Sequence, residues 1–138
     1  MRNTDLARDY IERAAVRLRA LDVLFDAESW ADVVRESQEV VELALHSLLL
    51  GSGVDQRSID DVPEMLLFER ERLPAAVAQD VETLAGISRG LRRDRELAFY
   101  GAEDLTPSGF YSKADAEKAR SDATMVVESV KPHIETAS

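Results

Sequence analysis

Four arginines fall within seven residues in Arg89-Gly90-Leu91-Arg92-Arg93-Asp94-Arg95, and the aromatic pair Phe99-Tyr100 follows closely. A guanidinium is a planar fork of donors that suits phosphate, and adjacent aromatic rings are stacking surfaces for a base. The chain as a whole carries a formal net charge of -10. Positive charge gathered in one stretch of an acidic protein has two readings. One is an anion or nucleic-acid site built from Arg92, Arg93, Arg95 and Tyr100. The other is an ion-pair seam that holds helices in register, with Arg92 or Arg95 paired to Glu39, Glu42 or Asp122. An inward-leaning guanidinium left unpaired in low dielectric would be costly, so the seam needs such partners.

Other chemistries find less to work with. The chain has no Cys, which excludes a thiolate nucleophile or metal ligand. His46 and His133 are far apart and in no paired-ligand spacing, so no metal site is expected. His46 reads as a surface or packing residue and His133 as a solvated one. Gly51-Ser52-Gly53 follows a helical segment, whereas a phosphate loop follows a strand. Asp60-Asp61 suits the N-terminal dipole of a short helix. Glu36, Glu39 and Glu42 read as a solvated face. No cofactor is expected beyond a nucleotide ligand. The net acidity argues against broad electrostatic coating of nucleic acid but leaves room for a local basic groove.

Apolar periodicity supplies the elements that must hold the arginine stretch. Pro and Gly fall between the periodic segments, as in helices joined by short loops. A first helix is predicted after Thr4, as its cap, to about Phe25, with Leu6, Tyr10, Ala14, Leu18, Leu21 and Phe25 on one face. Ser29 caps a second helix whose broad stripe from Trp30 to Leu48 is wide enough to be buried on two sides. Gly51 and Gly53 end it. A short helix starts at Asp60-Asp61 with Pro63 in its first turn, and Met65 to Phe68 form an apolar cluster. Pro74 opens a long helix to about Phe99, in which Gly86 and Gly90, four apart, predict close approach of another backbone. A loop spans Gly101 to Tyr111. Ser112 with Asp115 forms a near capping box for a last helix that stops near Pro132. The prediction is one all-α domain over residues 1–138, an antiparallel up-and-down four-helix bundle with one extra short helix. No apolar run reaches the roughly 20 residues that cross a bilayer, and the N-terminus lacks a signal-peptide core, so a cytoplasmic location is expected.

The order of these segments resembles the HEPN family of small helical bundles. The resemblance rests on Val34-Arg35-Glu36-Ser37-Gln38-Glu39-Val40-Val41-Glu42-Leu43-Ala44-Leu45, like the family's Gln-centred second helix. It also rests on the glycine loop that follows, on Asp61-Val62 at the short helix, and on Phe110-Tyr111-Ser112-Lys113-Ala114-Asp115-Ala116 opening the last helix. Many members are ribonucleases or toxins with an Arg-x4-6-His motif, often with Tyr two residues beyond the His. Here Arg93 matches the Arg, Tyr100 the Tyr, and Ala98 stands in the His position, as Asp60 stands where the short helix of the family usually has His. Alanine is neither acid nor base. The resemblance therefore implies a non-catalytic or weakly catalytic bundle that binds nucleotide or RNA at Arg92, Arg93, Arg95 and Tyr100. It further implies a homodimer, and a minimal nucleotidyltransferase as partner in a toxin-antitoxin-type pair, with Tyr100 as the adenylylated position. The alternatives are a metal-independent ribonuclease toxin and a structural adaptor dimer without ligand.

Overall fold

The computed structural model describes residues 3–102 and 105–135, with the backbone alone for Arg95, Glu96 and Glu135. Seven helices occur among the described residues: α1 (Asn3–Asp26), α2 (Trp30–Gly51), α3 (Val62–Phe68), α4 (Ala75–Ala78), α5 (Val81–Tyr100), α6 (Pro107–Phe110) and α7 (Lys113–Glu135). Short 3₁₀ turns at Gln56–Ser58 and Arg70–Arg72 flank α3. No strand is present among the described residues, and no described helix is long and apolar enough to cross a membrane. The all-α class and the helical bundle are as the sequence predicts.

The bundle is built around α2. Val33, Val34, Val40, Val41, Ala44, Leu45, Leu48 and Leu49 are all buried, because α2 packs against α1, α5 and α7. A fully buried Val or Leu side chain contributes roughly 1.5–3 kcal/mol, which makes this stripe the main source of stability. From α1 come Ala7, Ile11, Ala14 and Leu21, so its buried face is centred close beside the predicted one, with Leu6, Tyr10, Leu18 and Phe25 at its edges. From α7 come Ala116, Ala119, Ala123, Val126, Val127 and Val130, as predicted. Ser47 donates to the Ala7 carbonyl across the α1–α2 contact, and Arg17 reaches Glu36 at 2.8 Å. Arg120 lies 3.7 Å from the Phe25 ring centre and 3.2 Å from Asp22, closing α7 onto α1.

Several boundaries differ from the predictions, each for a local reason. α1 begins at Asn3, so Thr4 is inside it and is no cap, and Asn3 instead donates to the Val54 carbonyl at 3.0 Å. Ser29 precedes α2 without a side-chain cap bond, its hydroxyl donating to Asp32 at 2.6 Å. The helix predicted from Pro74 to Phe99 is two helices, because the chain turns at Gln79-Asp80, where the Asp80 N–H bonds to the Val77 carbonyl at 2.9 Å. That turn lets Val77 and Val81, on separate helices, both reach the core. α7 runs through Pro132 to Glu135; a proline in the last turn removes one hydrogen bond, and buried Ile134 keeps the end docked on Gly51. Of the run Met65 to Phe68, only Leu66 is buried, and Phe68 stands 81 % exposed. Asp61 and the Ser112–Asp115 box cap α3 and α7 as predicted.

The glycines Gly86 and Gly90 do not face another backbone. A Cβ at Gly86 would meet nothing within 4 Å, and one at Gly90 only the Arg93 guanidinium at 3.7 Å. α5 and α7 scarcely touch, and the glycine face looks into an open groove of about 340 Å³ between them. The close approach occurs at Gly51, where a Cβ would lie 2.7 Å from Ile134. Gly101, with φ 82°, is required for a different reason, since a Cβ there would meet the Leu105 carbonyl and the Pro107 ring. Gly86→Ala should therefore stabilise the protein by about 1 kcal/mol, while Gly101→Ala should destabilise it by about 1–3 kcal/mol. Urea unfolding of the two variants checks both signs.

Candidate nucleic-acid interface

The arginine stretch occupies the second half of α5, and the chain around it fixes where that half-helix sits. Gly101 ends the helix, its N–H bonding to the Leu97 carbonyl at 2.9 Å. The chain then doubles back through paired Ala102 and Leu105 into α6, whose cap Thr106 accepts from the Gly109 N–H at 3.1 Å. This brings Tyr111 under α5, where its buried hydroxyl donates to the Asp94 carboxylate at 3.1 Å. Burial first, and the Asp94 carboxylate second, push the Tyr111 phenol well above its usual range, so it stays a donor and a clamp.

The four arginines divide by where they point. Arg92 donates to Glu42 on α2 at 2.8 Å and to Asp61, the α3 cap, at 3.4 Å. Arg89 reaches Glu64 on α3 at 3.4 Å. These are the ion pairs of the seam reading, in its Arg92–Glu42 form; Asp122 pairs instead with Lys118 on its own helix at 2.8 Å. Each pair is half-exposed and stabilises by at most about 1 kcal/mol. Arg93 points away from them toward the α5–α7 groove and has no hydrogen-bond or ion-pair partner among the described residues. The side chain of Arg95 lies outside the described residues.

At the tip of α5, Phe99 and Tyr100 form an edge-on pair with ring centres 4.5 Å apart, and Tyr100 is 77 % exposed. Arg35 of α2 lies over the Phe99 ring, 4.4 Å from its centre, with no carboxylate partner among the described residues. The tip thus carries a stacked cation and two accessible rings. Arg93 and Tyr100 are seven residues apart, about 10 Å along the helix axis and on nearly the same side. Between them Ala98 points inward, buried to 1 % exposure.

A family model described as the HEPN domain matches residues 7–133. The chain belongs to the HEPN domain family. No curated protein and no solved structure matches it significantly. Arg93 and Tyr100 are exposed, while Ala98 lies in the core. The two histidines of the chain are elsewhere: His46 packs edge-on against Tyr10 with ring centres 5.1 Å apart and meets Gln56 at 2.9 Å. His133 lies in the last turn of α7. Among the described residues, no group of three or more His, Cys, Asp or Glu is placed to hold a metal ion.

Sequence reasoning gave Arg35 no role at the site and used Gln38 only as the centre of the second-helix resemblance. The usable signal was spacing: Arg35, Gln38-Glu39 and Glu42 recur at three- and four-residue steps on α2, and face α5. Reading Glu36, Glu39 and Glu42 as one solvated face concealed it. Glu36 and Glu42 are six residues apart, on different sides of the helix, and pair with Arg17 and Arg92 respectively. Ala98→His should lower stability by about 1–3 kcal/mol through overpacking and a buried polar ring. It should also create no ribonuclease activity. Thermal unfolding and an RNA-cleavage assay on the same sample check both statements.

Proposed function

We propose that this HEPN bundle binds single-stranded RNA or its nucleotides at the tip of α5 and does not cleave them by the family's Arg–His route. The observation that supports the reading is the pair of arginines without carboxylate partners among the described residues, Arg35 and Arg93, near an exposed edge-on Phe99–Tyr100 pair on a chain of net charge -10. Unneutralised guanidiniums beside accessible rings supply phosphate contacts and base stacking together. The burial of Ala98 weighs against the ribonuclease alternative, since no acid or base is offered at that position. The adaptor alternative accounts for Arg89 and Arg92 but leaves Arg35 and Arg93 without a purpose.

The same reading carries a homodimer and a minimal nucleotidyltransferase as partner in a toxin-antitoxin-type pair. The exposed Tyr100 hydroxyl is accessible for adenylylation, in which it attacks the α-phosphorus of ATP and pyrophosphate leaves. A neighbouring charge of Arg93 would favour that approach.

The test is binding of a short single-stranded RNA to the full chain over a range of salt. Arg93→Ala and Tyr100→Ala should each weaken binding roughly tenfold with the melting temperature within about 1 °C, as expected for exposed residues. Arg93→Ala should also reduce the slope of log affinity against log salt by about 1. Unchanged affinity in both variants would sink the reading.

A further inference from the structure

The groove between α5 and α7 is a gap in the packing of the bundle. α7 packs along α2 and α1 but scarcely meets α5, and the space left holds about 340 Å³. That volume is within the range of small-ligand sites and less than a single helical turn with its side chains would fill. Its apolar walls come from three elements: Ile87 and Leu91 on α5, Ala119 on α7, and the ring of Phe110 on α6, which is 48 % exposed. The α5 wall is open at Gly86, where a Cβ would meet nothing within 4 Å.

The charges that line the groove single out one group. Asp94 accepts from the Tyr111 hydroxyl at 3.1 Å, Asp115 from the Ser112 N–H at 2.9 Å, and Asp122 from Lys118 at 2.8 Å. Arg93 has no hydrogen-bond or ion-pair partner among the described residues, and its guanidinium lies over Gly90, 3.7 Å from where a Cβ would stand. Three carboxylates against two cations leave these walls with one excess negative charge. A terminal phosphate, close to dianionic at neutral pH, is disfavoured there. A phosphodiester carries a single charge, which the planar fork of Arg93 can meet. The apolar walls and the half-exposed Phe110 ring suit a base, which stacks on an aromatic side chain by its face. A flat ring attached to a singly charged phosphate is a nucleotide inside an RNA chain.

We infer that the α5–α7 groove takes the base of an internal nucleotide against Phe110, with its phosphodiester on Arg93. This rests on the RNA-binding reading above and adds a second subsite to it. Arg93 belongs to both subsites, and Tyr100 lies about 10 Å farther along α5, so one strand can run from the tip into the groove.

The experiment uses the full chain and single-stranded RNA hexamers. Gly86→Leu puts a branched side chain into the groove where a Cβ has open space. It should weaken hexamer binding roughly tenfold without lowering the melting temperature. Gly86→Ala adds one carbon and should bind as the unaltered chain does. In parallel, hexamers with 4-thiouridine at the centre or at a 5′-phosphorylated end are photocrosslinked to the unaltered protein, and tandem mass spectrometry locates the modified residues. Central thiouridine should crosslink at Phe110 or its neighbours in the groove, and the phosphorylated end should not. If Gly86→Leu binds as tightly as the unaltered chain while Arg93→Ala and Tyr100→Ala bind more weakly, RNA is held at the tip and the groove assignment is wrong. Equal losses in Gly86→Leu and Gly86→Ala would trace to the helix and also overturn it. Crosslinks confined to Phe99 and Tyr100 overturn it without any variant, which decides the matter even if Gly86→Leu does not fold. If the unaltered chain binds no RNA, both readings fall.

Discussion

Burial of α2 on several sides governs the arrangement of every other helix. Its valines and leucines leave no broad solvated face, so α1, α5 and α7 must all pack on it. The charged residues in the middle of α2 are consequently confined to the seams between its neighbours. Arg35, Gln38, Glu39 and Glu42 lie toward α5, and Glu36 toward α1. The candidate site is thus a product of core packing: a helix crowded by apolar contacts can present its polar groups only along the lines where two helices diverge.

α5 turns this constraint into a division of labour. One side, toward α2 and α3, holds Arg89 and Arg92 against carboxylates. The other looks over the α5–α7 groove, where Gly86 and Gly90 leave open space and Arg93 has no partner among the described residues. The tip, beyond both, carries Phe99 and Tyr100. Tyr111 and Gly101 fix the tip from below, one by its bond to Asp94 and the other by a backbone conformation that a side chain would obstruct. Of the arginines concentrated in sequence, Arg89 and Arg92 are tied to carboxylates and Arg93 is not, among the described residues.

The sequence was informative wherever a pattern was local. The apolar stripe of α2, the alanine and valine face of α7, the cap at Asp61 and the Ser112–Asp115 box follow from neighbours three or four residues apart. What was not legible depends on distant contacts. Whether the glycines of α5 face a helix or open space depends on how far α7 stands from it. Whether Arg92 is tied depends on Glu42, fifty residues away. The break at Gln79-Asp80 serves two buried valines that the periodicity placed on one continuous helix. That the Gln38 side-chain oxygen is buried without a partner among the described residues could be recognised only once its surroundings were known, since a glutamine in a helix is normally a solvated residue.

The account's central claim is that Arg35 and Arg93, which have no carboxylate partner among the described residues, receive nucleic acid at the tip of α5. Nitrogen-detected NMR of arginine side chains, recorded while a short single-stranded RNA is titrated into the full chain, observes it most directly. The Nε signals of Arg35 and Arg93 should move together and saturate with the RNA, while those of Arg13 and Arg57, in local pairs elsewhere on the surface, stay in place. No movement at Arg35 and Arg93, or equal movement of all four, would contradict it.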